Sequence, residues 1–143
     1  PALTELDLSN YGTAGIGDNG VIRLLANPHA GRLRKLNLGH NGISEQGATA
    51  LCVQPHMRHL TRLDLSANLL RNRAAGDLAN APPLGSLEEL ILCNAGITND
   101  GANALAKSPH LNSIRRLDLT RNRIGPKAAT ALRDRFGPAV SLS

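Results

Sequence analysis

Aromatic side chains are nearly absent from this sequence. In 143 residues it has no tryptophan, and Tyr11 and Phe136 are its only tyrosine and phenylalanine. Compact globular cores usually rely on large rings, so a core of that kind is not expected. The shortage also argues against nucleic-acid binding, because single-stranded nucleic acids stack on aromatic side chains. No apolar run approaches the ~20 residues of a transmembrane helix, so no membrane segment is predicted.

Residues with the spacing of metal or catalytic sites are missing as well. Cys52 and Cys93 are the only cysteines, and no CxxC, HxxxH or HExxH spacing occurs, so neither a disulfide framework nor a metal site is predicted. No serine has a histidine and an acid at suggestive positions, and no glycine-rich phosphate loop exists. We therefore predict a protein that is not an enzyme and needs no cofactor. Two free thiols favour a reducing compartment, the cytoplasm.

Three histidines follow prolines at equivalent positions: His29, His56 and His110. The equivalent position in the repeat between the last two is Pro83. We interpret these histidines as loop residues. The alternative is a histidine ladder that binds metal.

One motif, LxxLxLxxN, recurs along the whole chain. Its best example is LRKLNLGHN from Leu33, and its starts at 3, 33, 60, 87 and 114 give steps of 30, 27, 27 and 27 residues. Near-constant spacing of this kind is typical of solenoids, in which repeats stack on one another. We divide the chain, as a single domain, into repeats 3-32, 33-59, 60-86, 87-113 and 114-140, with a tail at 141-143.

Within each repeat the apolar period changes from two to about 3.6. Alternating leucines predict strands, and the later spacing of small and apolar residues predicts helices. We expect strands near 4–8, 34–38, 61–65, 88–92 and 115–119, and helices near 18–26, 45–53, 72–80, 99–107 and 126–135. Prolines at 28, 55, 82 and 109 close four of the repeats, since proline cannot continue a helix.

These units predict an α/β fold, a right-handed solenoid arc of five repeats. Parallel strands lie ~4.8 Å apart and helices ~8–10 Å apart, so the sheet must take the concave side and the helices the convex side. The motif asparagines Asn41, Asn68 and Asn122 can satisfy backbone groups of a buried turn. Tyr11 and Ala95 replace that asparagine, and we expect looser turns there, or water in place of the amide. The segment 13–15 fits as an insertion that bulges after the first strand.

The pattern LxxLxLxxN-x-I-x-x-x-G/A-A-x-x-L, as in LRKLNLGHNGISEQGATAL, resembles the ribonuclease-inhibitor-like class of leucine-rich repeats. Short uniform repeats and an excess of arginine over lysine, thirteen against three, are similar to a bacterial member. The resemblance implies a module that binds a protein through its concave face. The alternative is a regulatory domain of the GTPase-activating type, with Arg121 or Arg123 as a catalytic arginine. Neither end resembles a capping repeat, so we expect a fragment or module of a longer protein whose open ends can self-associate.

Outward strand positions give the candidate site. The predicted partner-binding residues are Lys35, Asn37, Arg62, Asp64, Glu89, Ile91, Arg115, Arg116, Asp118 and Arg121.

The net charge of +5 lies wholly in the last repeat, because residues 1–113 hold nine basic and nine acidic residues. We therefore expect an acidic protein partner at Arg115, Arg116 and Arg121, beside Ile91 as an exposed apolar centre. The alternative is that the charges pair laterally along the sheet and only keep it hydrated.

Overall fold

A single parallel sheet runs through the protein, with strands in sequence order. The computed structural model describes residues 2–143. Within them the strands are Glu5–Asp7 (β1), Lys35–Asn37 (β2), Arg62–Asp64 (β3), Glu89–Ile91 (β4), Arg116–Asp118 (β5) and Val140–Ser141 (β6). The predicted parallel α/β solenoid is confirmed, although each of the first five strands is three residues long.

Five helices alternate with these strands, and each packs against the next helix along the chain. They are Gly17–Ala26 (α1), Glu45–Cys52 (α2), Arg71–Ala79 (α3), Asn99–Ala106 (α4) and Pro126–Phe136 (α5). Their bounds lie within one residue of the predicted ones at each end. Short 3-10 helices, which the sequence did not predict, follow at Pro28–Arg32, Pro55–His59, Pro82–Leu84 and Gly137–Ala139.

The sixth strand is a difference from the five that were predicted. The helix α5 ends at Gly137, whose φ of 55° suits glycine, and a single 3-10 turn then returns the chain to the sheet. Val140 pairs with Leu117, and Val140 and Leu142 pack against the core. Ser141 hid this strand from the motif search, because it stands where a motif leucine would begin.

Stacked leucines form the core in place of aromatic rings. The central strand residues Leu36, Leu63, Leu90 and Leu117 pair in register and are at most 1% exposed. On the helix side, small residues such as Ala75 are also fully buried. This packing explains how the chain folds with so few large rings.

Motif asparagines link successive turns through their amides, as the sequence predicts. The Asn68 Oδ1 accepts the N–H groups of Asn41 at 3.1 Å and Ile43 at 2.9 Å. Its Nδ2 donates to the carbonyl oxygens of Leu38 at 2.9 Å and Leu65 at 3.0 Å. Asn41 and Asn122 make equivalent bonds to the repeats before them. We call this series the amide ladder.

Ala95 interrupts the amide ladder. Within residues 2–143, the N–H groups of Asn68 and Leu70 have no hydrogen-bond acceptor, whereas an amide at position 95 would lie where Asn68 and Asn122 bond their neighbours. Ala95 itself is fully buried. The expectation of a less satisfied turn at this position agrees with the structure.

A second ladder, absent from our predictions, joins the helices. Asp18 of α1 accepts the N–H groups of Ser44 at 2.8 Å and Gly47 at 3.1 Å, at the start of α2. Asn72 of α3 does the same for Thr98 and Gly101 at the start of α4. We call this series the cap ladder, because it satisfies N–H groups that helix ends leave free.

The cap ladder explains the glycines in two helices. A Cβ at Gly101 would lie 2.8 Å from the Asn72 Oδ1, and a Cβ at Gly47 would clash with Asp18. In α3 the equivalent residue is Ala74, and the residue at the capping position of α2, Glu45, makes no such bond. We had ascribed these glycines to close helix packing in general, but the close contact is with a capping side chain.

The insertion in the first repeat forms an exposed loop, as predicted. Residues 11–15 are exposed, and Asn10 ties the loop through a 2.6 Å bond from its Nδ2 to the carbonyl of Ala14. Tyr11 is 83% exposed and lies over the ring of His40, with centroids 4.6 Å apart. It therefore contributes nothing to the amide ladder.

Candidate functional site

Two rows of side chains cross the concave face of the sheet, because neighbouring strands pair residue by residue. The first row is Glu5, Lys35, Arg62, Glu89 and Arg116, and the second is Asp7, Asn37, Asp64, Ile91 and Asp118. The middle residue of each of these strands faces the helices, so both rows face away from the core. Eight of the ten predicted site residues belong to these rows.

Lateral ion pairs occupy most of the first row. The Lys35 Nζ lies 2.8 Å from a Glu5 oxygen, and the Arg62 Nη1 lies 3.1 Å from the Glu89 Oε2. The same Glu89 oxygen lies 3.8 Å from Arg116. The alternative of lateral pairing along the sheet is therefore observed for this row. These side chains are about one-third to two-thirds exposed, so each pair contributes only ~0–1 kcal/mol.

Arg115 and Arg121 remain outside this pairing. Both are exposed, and no carboxylate in residues 2–143 lies within 4.0 Å of either guanidinium. Arg116 between them shares Glu89 and approaches Asp118 at 4.0 Å. Two arginines beside the last full-length strand thus lack an acidic partner, where the sequence predicted about one.

Aspartates of the second row hold the turns that follow their strands. The Asp64 Oδ1 accepts the N–H of Ser66 at 2.9 Å and its hydroxyl at 2.6 Å, and Asp118 bonds Thr120 in the same way. In β1, hydrogen bonds from the Ser9 side chain and backbone lower the pKa of Asp7 from its usual 3.8. One oxygen of each carboxylate is thereby committed to the fold, which leaves the other to face solvent.

Ile91 is buried, which corrects the expectation of an exposed apolar centre. It is 6% exposed and lies in register between Asp64 and Asp118. The reason is its central strand: curvature brings concave side chains together, so a residue with a strand on each side is covered by its neighbours. Only the half-buried Cys93, which follows it at the serine or threonine position, extends this apolar spot outward.

Arg121 belongs to a column of residues with left-handed backbone. The φ angles are 58° at His40, 53° at Ala67, 52° at Asn94 and 57° at Arg121. Because the column repeats in four turns, this conformation belongs to the fold and does not single out Arg121 as a catalytic arginine.

The hollow of the concave face lies at its amino-terminal half. It encloses about 380 Å³ beside Lys35, Asn37 and Arg62, with Glu5 and Asp7 on its other wall. Glu5 and Asp7 are missing from the predicted site, although the 30-residue step of the first repeat places them in the same two rows. The predicted carboxy-terminal contact at Arg115, Arg116 and Arg121 lies at the opposite end of the face.

Metal and membrane features were searched in the part of the chain that the structure describes. No group of three histidine, cysteine or acidic side chains in residues 2–143 is arranged to hold a metal ion. Across the same range, each helix is too short or too polar to cross a bilayer.

Comparisons with known proteins agree with this architecture. A sequence profile described as a leucine-rich repeat matches residues 33–52 and 110–132. No curated protein sequence matches the chain. The structure is similar to that of an internalin from Listeria monocytogenes, with 18% identity and a TM-score of 0.50 over 98% of this chain and 47% of that chain. This chain therefore spans about half the length of the internalin structure, and at this identity the likeness concerns the fold.

Proposed function

Because this chain is a leucine-rich repeat protein, we propose that it is a protein-interaction module that binds its partner through the concave face and catalyses no reaction itself. Solenoids use their curved faces as extended binding surfaces. Repeat steps of 27 residues support the ribonuclease-inhibitor-like class. The free thiols of Cys52 and Cys93 favour the cytoplasm.

The partner is proposed to present acidic side chains to the last full-length strand. The carrying observation is that Arg115 and Arg121 are exposed and lack a carboxylate within 4.0 Å among residues 2–143. Arginine presents a planar fork that suits carboxylates. Lys35, Asn37, Arg62, Asp64, Glu89 and Asp118 supply the mixed polar surround, and Ile91 with Cys93 supplies a small apolar floor.

A displayed library of random peptides tests this proposal without knowledge of the natural partner. We expect the wild-type chain to select peptides enriched in aspartate and glutamate, and we expect their binding to weaken as salt rises. The double variant Arg115→Glu/Arg121→Glu should lose these peptides, because like charges then face each other.

A matched control is Arg133→Glu, which reverses an exposed arginine on the convex helix α5. It should select the same acidic peptides as the wild type. Selection without acidic enrichment, or equal selection by the double variant, would refute an acidic partner at this strand.

A further inference from the structure

A basic cleft lies where two 3-10 helices pack together, on a different edge of the protein from the concave face. The helices Pro28–Arg32 and Pro55–His59 enclose about 410 Å³ between them. Four cationic or titratable side chains line the space, Arg32, Arg58, His56 and His59. A volume of this size accommodates a small ligand.

Close contact between the two helices fixes one imidazole. A Cβ at Gly31 would lie 2.9 Å from the His56 Cβ, so the approach depends on glycine at this position. The His56 Nε2 lies 3.1 Å from the carbonyl oxygen of Leu25. A carbonyl only accepts, so Nε2 carries the hydrogen and Nδ1 is the ring nitrogen left to meet a ligand.

The second imidazole is oriented by an arginine. The Arg58 Nε donates to the His59 Nε2 at 3.3 Å, so the His59 hydrogen is on Nδ1, where it is a donor. The terminal nitrogens of Arg58 have no hydrogen-bond partner among residues 2–143. Arg32 likewise has no carboxylate within 4.0 Å in that range. Two guanidinium forks and an imidazole N–H are thus free to donate.

Acidic residues are rare in the surrounding sequence. Between Asp18 and Asp64 the only acidic residue is Glu45, which starts α2. The next 3-10 helix, Pro82–Leu84, packs against Pro55–His59 and carries no charge. The balance of charge over residues 1–113 therefore conceals a local excess of cations on this edge.

We infer that this cleft binds a tetrahedral oxyanion of the phosphate-monoester class. A dianion neutralises the two guanidinium charges, and its several oxygens match donors from separate side chains, whereas a carboxylate offers only two oxygens. Arginine forks suit phosphate oxygens in particular. The site is separate from the concave face, so the two proposals can fail independently.

Titration with phenyl phosphate, followed by NMR of the His56 and His59 ring signals, tests the inference. Inorganic phosphate is a second probe, and acetate at equal ionic strength is the comparison. We expect saturable shifts with both phosphates and none with acetate. The variant Arg32→Ala/Arg58→Ala should bind phenyl phosphate about tenfold more weakly or worse, as expected on losing charge-assisted hydrogen bonds.

The control variant Arg71→Ala/Arg73→Ala removes two other exposed arginines and should bind as the wild type does. Arg32→Lys/Arg58→Lys keeps both charges without the forks, so it should bind with intermediate affinity even if the alanine variant folds poorly. Non-saturable shifts, or equal loss in the control and the alanine variant, would overturn the site and leave only general charge attraction.

Vesicles identify the source of the phosphate. Sedimentation with phosphatidic acid vesicles that disappears in Arg32→Ala/Arg58→Ala would assign the site to a lipid headgroup. Binding of phenyl phosphate without vesicle sedimentation would assign it to a soluble monoester. Either result supports the cleft as an oxyanion site, and absence of both kinds of binding refutes it.

Discussion

The Asn68 side chain binds the backbone of Asn41 in the preceding repeat, with its Oδ1 3.1 Å from that N–H. The same amide also serves Ile43, Leu38 and Leu65, and Asn68 is 2% exposed. Asn68→Ala would leave these buried groups without partners, so we expect a loss of about 3 kcal/mol in unfolding free energy. Urea denaturation measures it. Asn80→Ala, which removes an exposed amide bonded only to Gly76, should cost less than ~1 kcal/mol, and equal losses would contradict this role.

Ala95→Asn should stabilise the protein. The new amide would accept the N–H groups of Asn68 and Leu70, which have no acceptor within residues 2–143. A net hydrogen bond is worth about 1 kcal/mol, so a gain of about that size is expected in the same assay. Ala95→Leu adds similar volume without donors or acceptors and should destabilise by overpacking. A loss of stability with asparagine would show that the turn has no room for an amide.

Arg71→Gly should also raise stability. Arg71 has a φ of 56°, and the equivalent residue of the first repeat is Gly17, with a φ of 57°. Left-handed backbone costs a residue with a Cβ roughly 1–2 kcal/mol, part of which glycine recovers against its greater freedom when unfolded. We expect a net gain of about 0.5 kcal/mol on this balance. Arg73→Gly, within α3, should instead lose about 1 kcal/mol.

Cys52 and Cys93 should differ in reactivity. Burial, and then the charge of Asp77, raise the pKa of the Cys52 thiol from 9.0 to about 12, whereas Cys93 is half-buried. At about pH 8, iodoacetamide should therefore alkylate Cys93 and spare Cys52 until the protein unfolds. Mass spectrometry of the intact and digested protein checks this order.

The Cys52 shift also predicts a pH dependence. Because the folded state holds the thiol proton more tightly, its contribution to stability is complete below pH 9.0 and is lost as pH rises towards 12. Cys52→Ala removes the titrating group, so stability should fall less steeply in this window for the variant than for the wild type. Parallel pH profiles would contradict the assignment.

Leucine spacing alone was sufficient to predict the five helices, the first five strands and the residues of both concave rows. The sixth strand was missed because Ser141 replaces the motif leucine, while Val140 still pairs with Leu117. The cap ladder did leave a signal: Asp18, Asn72 and Asn99 lie at multiples of 27 residues. Glu45 breaks that series, and no physical role had been attached to it.

Properties that arise between repeats were harder to foresee. The burial of Ile91 depends on how curvature closes its neighbours over it, which a strand pattern does not encode. The basic cleft depends on the contact between Gly31 and His56, since the histidines by themselves indicate only loop positions. Arg115 and Arg121 were placed correctly beside the last full-length strand, but their lack of carboxylate partners required side-chain geometry.

The two ladders are interrupted at different places. Between the second and third repeats the amide of Asn68 is present and a capping side chain is missing, whereas between the third and fourth Asn72 caps and Ala95 supplies no amide. The flanking junctions have both links. The arc therefore resembles a leaf spring that is stiff towards its ends and compliant at its centre. A bound partner that reaches from β1 to β5 would adjust the radius of curvature mainly at those two central joints.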